Sequence, residues 1–182
     1  MTLSIPEQSA VDPGVLLEVM KVDLTSFLVP YRGTVSVCED GARALEAMMQ
    51  PPDGPCCVLF YTGETNPDEN PHGNGVAQAQ FSITCVYNVA LTASPQSAKS
   101  LQTKDGNPSA LRLATLVKRR VFAWRFPASK AYPSESSIIY HGCDAAVEPD
   151  GIPMAAYTMR FSLYYTIPTS SDKVMLSVGS GT

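Results

Sequence analysis

The sequence is poor in the side chains that most often carry catalysis or bind metal ions. It has only two histidines, His72 and His141, and its five cysteines include no C-x-x-C pair. A zinc site is therefore not predicted, and the odd number of cysteines argues against a disulfide framework. No glycine-rich loop joins a strand pattern to a helix pattern, which argues against nucleotide binding. We expect no cofactor, no metal ion and no enzymatic activity.

Charged residues and long apolar runs are also scarce. Asp, Glu, Lys and Arg make up 16% of the chain, whereas roughly a quarter is typical of globular proteins. In a chain that is 45% apolar, this indicates a folded domain whose surface is partly covered by other protein. No stretch approaches the roughly 20 apolar residues that span a bilayer, and the first residues do not resemble a signal peptide. The sequence predicts synthesis in the cytosol and no membrane contact.

A length of 182 residues suits one hydrophobic core and is short for two. We predict a single domain over residues 1–182, with a globular core at about 11–167, an N-terminal extension at 1–10 and a C-terminal tail at 168–182. Free termini normally fray, so we expect a neighbouring subunit to hold the tail, with Val174 and Leu176 in the contact. A tail that folds back onto its own domain is the alternative.

Three segments have the spacing of amphipathic helices. Each begins after a favourable N-cap residue, Asp12, Asp40 or Asn107, and each stops before a proline. The third helix is predicted to run to about Arg125 with one apolar side. That inward side consists of Leu113, Ala114, Val117, Val121 and Trp124.

Strand patterns fill most of the remaining core. A short alternation and a continuous apolar run predict two strands, and a longer alternation predicts a third. Two further strands flank Pro149-Asp150-Gly151 and predict a closing hairpin, whereas residues 63–75 have no periodicity and are predicted to be an exposed loop. The order predicts an α+β fold, a mostly antiparallel sheet with helices packed on one face. The predicted strands cover 34–38, 56–61, 81–91, 138–147 and 155–167.

The nearest approach to a reactive constellation is His141, Cys143 and Asp144. In a regular strand His141 and Cys143 would point to the same face, as a cysteine hydrolase would need. The spacing is not specific, and no helix N-terminus precedes Cys143 to activate it. We therefore expect all five cysteines to be small buried apolar residues, and keep a small cysteine-dependent hydrolase as an alternative.

Charge is distributed unevenly along the chain. Residues 106–134 contain six basic side chains and no acidic one, although the whole chain has a net charge of -4. The basic helix has three interpretations: a nucleic-acid contact, an ordinary solvated face, or a surface that docks on an acidic neighbour. In the docking interpretation, the basic helix contacts the acidic loop of an adjacent copy. The contact residues are then Glu64, Asp68, Glu69, Arg112, Lys118, Arg119 and Arg120.

The order of elements from about 11 to 167 resembles that of bacteriophage tail terminator proteins, also called minor tail or tail-completion proteins. The resemblance rests on the opening helix, the core run from Cys57 to Tyr61, the long strand from Phe81 to Leu91, the helix after Asn107-Pro108 and the closing strand 157–166. It covers most of the chain but involves no single diagnostic motif. The 63–75 loop, the 127–136 insertion and the tail go beyond the smaller members of the family.

This resemblance implies a structural virion protein rather than an enzyme. It implies a homo-oligomeric, hexameric ring that caps the tail tube, stops its polymerisation and joins it to the neck or head-completion protein. The implied neighbours are the tail tube protein and, where the tail has one, the sheath. DNA would pass through the lumen without specific binding. Assembly would take place in the host cytoplasm, and the final location would be the tail–neck junction. Another head–tail joining or tail-tube subunit is the alternative.

Overall fold

The computed structural model of the chain describes residues 13–38, 41–49, 54–65, 76–88, 108–124, 138–145 and 154–166. These ranges contain three helices and five strands, as the sequence predicts. A 3-10 turn at Val29–Tyr31 ends the first helix at the predicted proline. No helix in the described ranges combines the length and apolar character needed to cross a membrane. The elements are α1 Pro13–Leu28, β1 Thr34–Cys38, α2 Gly41–Met49, β2 Cys56–Thr65, β3 Val76–Asn88, α3 Ala110–Phe122, β4 Ile139–Ala145 and β5 Met154–Thr166.

The five strands form one sheet in the order β1-β2-β3-β5-β4. β1 pairs with β2 in parallel, and the other three pairings are antiparallel. The parallel pair requires the chain to return to the same end of the sheet, and α2 supplies this crossover. β4 and β5 are adjacent antiparallel strands. The mixed α/β class, the mostly antiparallel sheet and the closing hairpin are therefore confirmed.

The prediction that all helices pack on one face of the sheet is wrong. α1 and α3 pack on the face that contains Cys57 and Leu59, whereas Ala44 of α2 belongs to a cluster with Cys56 and Val58. Successive strand residues point to opposite faces, so α2 lies on the other side of the sheet. Because α1 already covers one face of β1 and β2, the crossover helix covers the opposite one. The continuous apolar run of β2 was the sequence signal for burial on both faces.

The main core lies between the sheet and the pair α1 and α3. Phe81 and Phe161 stack at its centre with their ring centroids 5.6 Å apart, and the Tyr140 ring lies 5.5 Å from Phe161. The predicted inward side of α3 is confirmed. However, α3 begins after Ser109. The Ser109 hydroxyl accepts a hydrogen bond from the backbone N–H of Arg112 at 3.3 Å. The N-cap is therefore two residues later than Asn107.

A buried carboxylate joins the two helices of this layer. The side chain of Asp23 in α1 is only 3% exposed and pairs with Arg120 of α3. Arg120 Nε donates to Asp23 Oδ2 at 2.7 Å, and Trp124 Nε1 donates to the same oxygen at 2.8 Å. Burial by itself raises the pKa of Asp23, but the hydrogen bonds from Arg120 and Trp124 and the guanidinium charge outweigh it, so the net pKa is lowered.

Two strands are longer than predicted. β2 continues through 63–65, which the sequence assigned to a loop, and pairs there with the first residues of β3. The continuation needs a bulge after Tyr61, and Gly63 takes the φ of +135° that this bulge requires. The alternation of alanine and glutamine at 77–80 was the missed signal. Residues 66–75 and 89–91 lie outside the described residues.

Candidate interaction surfaces

The hypothetical His141 and Cys143 dyad does not exist in the folded chain. A bulge between Tyr140 and Gly142 adds one residue to β4, and Gly142 has a φ of +137°. After the bulge, Cys143 is opposite Met159 on the α1 and α3 side of the sheet. His141 Nε2 instead lies 2.6 Å from Ser162 Oγ, on the other side. The prediction that both side chains share a face is wrong, because a bulge reverses the alternation.

The cysteines are buried as predicted with one exception. Cys38, Cys56, Cys57 and Cys85 are buried, and Cys143 is exposed on the outermost strand. The sulfur atoms of Cys57 and Cys85 are 3.6 Å apart on neighbouring strands. Burial raises the pKa of Cys143 above its ordinary value, and the Lys118 charge offsets this only in part. A thiol with a raised pKa is a poor nucleophile at neutral pH.

Alkylation should show that Cys143 is accessible but not activated. We expect iodoacetamide to modify this thiol slowly at pH 7 and faster as the pH rises towards and above its ordinary pKa. The His141→Ala variant should react at the same rate within about twofold, because the imidazole lies on the opposite face. Mass spectrometry of the native protein measures both rates. A rate that is fast at pH 7 and falls in His141→Ala would restore the hydrolase alternative.

The sheet face that carries α2 is polar beyond the helix. Thr65, Gln78, Ser162 and His141 form a hydrogen-bonded line across four strands. Gln78 Nε2 donates to the fully buried Ser162 Oγ at 2.8 Å, and Thr65 Oγ1 donates to Gln78 Oε1 at 3.2 Å. A recess of about 310 Å³ beside this line is lined by Thr62, Gln80, His141, Arg160 and Phe161.

Charge on this polar face is largely neutralised within the chain. Arg160 Nη2 lies 2.8 Å from Asp144 Oδ2, and both side chains are more than half exposed. Thr84 Oγ1 and Thr158 Oγ1 are 2.9 Å apart in the centre of the sheet. Among the described residues no group of three His, Cys, Asp or Glu side chains is placed to hold a metal ion. The face can therefore exchange hydrogen bonds with a partner, but it shows no reactive arrangement.

The outer face of α3 has the composition of a protein interface. Arg112 and Arg119 are exposed there, and no carboxylate of the described ranges lies within ion-pairing distance of either. Beside them are two exposed large apolar residues, Leu111 and Phe122, the latter 44% exposed. Arginine and aromatic residues are enriched in interfaces and unpaired arginines attract acidic partners.

The other two cations of the predicted docking helix are engaged within the chain. Arg120 pairs with Asp23, so it stabilises the packing of α1 against α3. The ammonium group of Lys118 lies 5.1 Å from the centroid of the Tyr140 ring, a cation–π contact with β4. Arg112 and Arg119 are therefore the predicted contact residues of this helix that remain exposed and unpaired among the described residues. The sequence contained a signal for this pairing: Asp23 lies among the inward-facing apolar residues of α1, and a buried carboxylate needs a cation as its partner.

Glu64 is the part of the predicted acidic partner surface that the structure describes. It lies exposed near the end of β2, and Tyr61 donates its hydroxyl to Glu64 Oε2 at 3.3 Å. Burial raises the pKa of Tyr61 to about 12, and the Glu64 charge adds to the shift. Four predicted contact residues lie outside the described residues: Asp68, Glu69, Val174 and Leu176.

α1 exposes an apolar stripe that the sequence prediction missed. Val22 is 67% exposed and Val29 66% exposed, whereas Val15 and Val19 are half-buried and also pack against the main core. Val15, Val19 and Val22 recur at intervals of four and three residues, which is the spacing of one helix face, and Val29 follows in the 3-10 turn. These four valines are called the valine stripe. A recess of about 400 Å³ follows the stripe and is lined by Gly14, Val15, Glu18, Val19 and Val22. The near-continuous apolar sequence of α1 was the available signal.

Comparison with protein-family models finds no match for this chain, and comparison with curated proteins finds none either.

Proposed function

We propose that this chain is a structural subunit of a closed ring, a tail terminator that caps a phage tail tube and joins it to the neck. The first support is the order of elements on which the resemblance rests. Each of the five carrying segments is a helix or strand of the expected type: α1, β2, β3, α3 and β5. The long strand begins earlier than predicted, at Val76, and the third helix ends earlier, at Phe122.

The observation that carries the proposal is the outer face of α3. Two guanidinium groups that have no ion-pair partner among the described residues lie next to exposed Leu111 and Phe122, and together they form a surface suited to an acidic protein neighbour. Elsewhere the chain is acidic, because 17 carboxylates and a net charge of -4 leave a negative surplus outside the basic segment. A copy of this chain is therefore a suitable partner, with Glu64 and the acidic 63–75 segment as the matching surface.

A contact between α3 of one copy and the acidic segment of the next uses two different surfaces. Such heterologous contacts propagate, and they form a ring when the rotation between copies closes. In the proposed ring, one rim contacts the last ring of the tail tube and the other contacts the neck protein. β1 and β4 are the outer strands of the sheet that the described residues form, and in the proposal their edges and the polar sheet face make these axial contacts through backbone pairing and hydrogen bonds. The lumen passes DNA without specific binding.

Charge reversal tests the lateral contact. We expect the double variant Arg112→Glu with Arg119→Glu to shift the protein from rings to monomers, with association at least about tenfold weaker, because like charges would then face each other. Light scattering after size exclusion gives the mass, and negative-stain electron microscopy shows the rings. Adding Glu64→Arg, Asp68→Arg and Glu69→Arg to the double variant should restore assembly.

The matched control is Arg32→Glu with Arg43→Glu, which makes the same change of net charge at two exposed cations outside α3. This control should assemble as the unaltered protein does. The ring proposal fails if the unaltered protein remains a monomer at high concentration. The α3 contact alone fails if rings form equally well in the double variant and in the control.

Position in the particle separates the proposal from its structural alternative. In virions that carry this chain, labelled antibodies should bind once per tail, at the junction with the head. Labelling along the whole tail would instead identify a tube subunit. Labelling at neither place, with no rings in solution, would contradict both structural functions.

A further inference from the structure

Cys57 and Cys85 face each other on two interior strands of the sheet. They are directly opposite in the antiparallel pairing of β2 with β3, and their sulfur atoms are 3.6 Å apart. Opposite residues of an antiparallel pair have Cα atoms about 4.5–5.5 Å apart, which lies inside the range of about 4.4–6.8 Å that disulfides span. The backbone therefore already has the separation that a disulfide between these residues needs.

Only the two sulfur atoms have to move for this bond to form. A disulfide has an S–S distance of about 2.05 Å, so the sulfur atoms would approach each other by about 1.5 Å. Rotation about the two Cα–Cβ bonds can supply this approach without a change in the register of the strands. Cys38 and Cys56 belong to the cluster on the other side of the sheet, so neither stands between the two sulfur atoms.

Burial keeps the two thiols from reacting while the strands are closed. Both residues are 0% exposed and belong to the main core. Burial and the contact with Cys57 raise the pKa of Cys85 well above its ordinary value, so this thiol stays protonated at neutral pH. Because a thiolate is the species that attacks a disulfide, oxidation requires a local opening of the core. The pair is therefore slow to close, and the closed bond is shielded from reductants.

We propose that Cys57 and Cys85 are an oxidisable pair, which small-molecule disulfides convert into a cross-strand disulfide that joins β2 to β3. One cysteine thiolate attacks the small disulfide, whose S–S bond breaks and releases one thiol. The second cysteine then attacks the mixed disulfide, which forms the bond between the two cysteines and releases the second thiol. Both cysteine protons end on the released thiols, and two electrons pass from the cysteines to the small disulfide.

The bond would stabilise the core only under oxidising conditions. In a reducing compartment the two thiols stay free, whereas oxidising surroundings favour the disulfide. The two cysteines are 28 residues apart, and a cross-link over such a distance stabilises a protein mainly by constraining its unfolded chain. An odd number of cysteines argues against a permanent disulfide framework but is compatible with one conditional bond. The proposal uses described residues of a single chain and does not depend on the ring.

Oxidation of the folded protein tests the proposal. The Cys143→Ser variant, which lacks the thiol that is exposed among the described residues, is incubated with cystamine at pH 8, in buffer and at about 10 °C below its melting temperature. We expect the intact mass to fall by two hydrogen atoms, and peptide mapping to link Cys57 to Cys85. The melting temperature should rise by roughly 5–10 °C. Dithiothreitol should then open the bond at least about tenfold faster in denaturing urea than in buffer, because access controls the exchange.

Matched variants in the Cys143→Ser background identify the two sulfur atoms. Cys56→Ala should keep the bond, because Cys56 lies on the other side of the sheet, whereas Cys85→Ala should abolish it. The Cys56→Ala variant also distinguishes two neighbouring thiols that share one peptide. Circular dichroism shows whether each variant folds, and the link in the Cys143→Ser protein itself requires no substitution at the pair.

Four results would overturn the proposal. A stable adduct of half a cystamine molecule on Cys57 or Cys85 would mean that the partner thiol cannot reach it. Absence of a link even near the melting temperature, where the core opens often, would mean the same. A lower melting temperature after oxidation would show that the native strands oppose the bond. Loss of the link in a folded Cys56→Ala variant would assign the reaction to Cys56.

Discussion

Replacing Arg120 with alanine should lower the free energy of unfolding by about 3–5 kcal/mol. The substitution leaves the Asp23 carboxylate buried with one remaining described donor, Trp124 Nε1. An uncompensated buried charge costs far more than the ion pair contributes as a whole. Urea denaturation measures the change. The fluorescence of Trp124, the only tryptophan in the chain, reports directly on this region.

Two further variants distinguish loss of the whole Asp23–Arg120 ion pair from loss of one partner. Asp23→Asn should cost less than Arg120→Ala, because Arg120 is partly exposed and its freed guanidinium can reach water. The double variant Asp23→Leu with Arg120→Leu should recover part of the loss, since an apolar pair leaves no buried charge. If Arg120→Ala costs less than about 1 kcal/mol, the pair behaves as a surface ion pair.

The dependence of stability on pH tests the direction of the Asp23 pKa shift. The folded-state pKa of Asp23 is lowered, so its contribution is present above the unfolded value near 3.8 and is lost as the pH falls through the folded pKa. Arg120→Ala removes the guanidinium. Burial, the largest influence on Asp23, then outweighs the remaining hydrogen bond from Trp124 and raises the pKa of Asp23. The contribution of this one group should then change sign, so that acidification below pH 3.8 destabilises the variant less than the unaltered protein.

Phe161→Ala should cost about 3–5 kcal/mol, the range expected when a buried phenylalanine is removed from a packed core. Phe161 is 1% exposed, and its ring contacts both Phe81 and Tyr140. The residue belongs to β5, which pairs with β3 on one side and β4 on the other. A cavity here therefore weakens the contact between three strands and the helix layer. Denaturant unfolding, again followed by Trp124, measures the loss.

Phe122→Ala is the matched control, because the same atoms are removed from an exposed position of α3. Among the described residues it loses an edge contact with Tyr140, with the ring centroids 6.0 Å apart, and should cost about 1 kcal/mol. Similar costs for the two variants would mean that the Phe161 site collapses around the missing ring. The structure would then be less tightly packed at its centre than the stacked rings indicate.

The helices were predictable because each is bounded by local chemistry. α1 and α2 begin at Pro13 and Gly41, directly after the predicted N-cap positions, and the inward side of α3 follows from its spacing. The ends of β2 and β3 were less predictable. Gly63 looks like a loop residue in sequence, but in the structure it forms a bulge that lets the strand continue. Local composition cannot distinguish a glycine that ends a strand from one that bends it.

The candidate surfaces were predicted only in part. The basic character of α3 is visible in sequence, but the assignment of Arg120 to Asp23, across 97 residues, is a tertiary contact. The valine stripe was missed because α1 is apolar on most sides, so its pattern does not show which valines face the core. The alternative of a reactive pair is wrong for a related reason, since the bulge between Tyr140 and Gly142 places His141 and Cys143 on opposite faces.

Periodicity, caps and turn residues by themselves determined the element types, their order and the mixed α/β class. These are consequences of local backbone preferences and of the need to bury apolar side chains. Only the tertiary structure decided which face each helix covers, which charges are paired, and which apolar residues remain exposed. Those properties depend on the pairing of distant strands and on bulges that change the direction of side chains, and neither is encoded in the spacing of residues along one element.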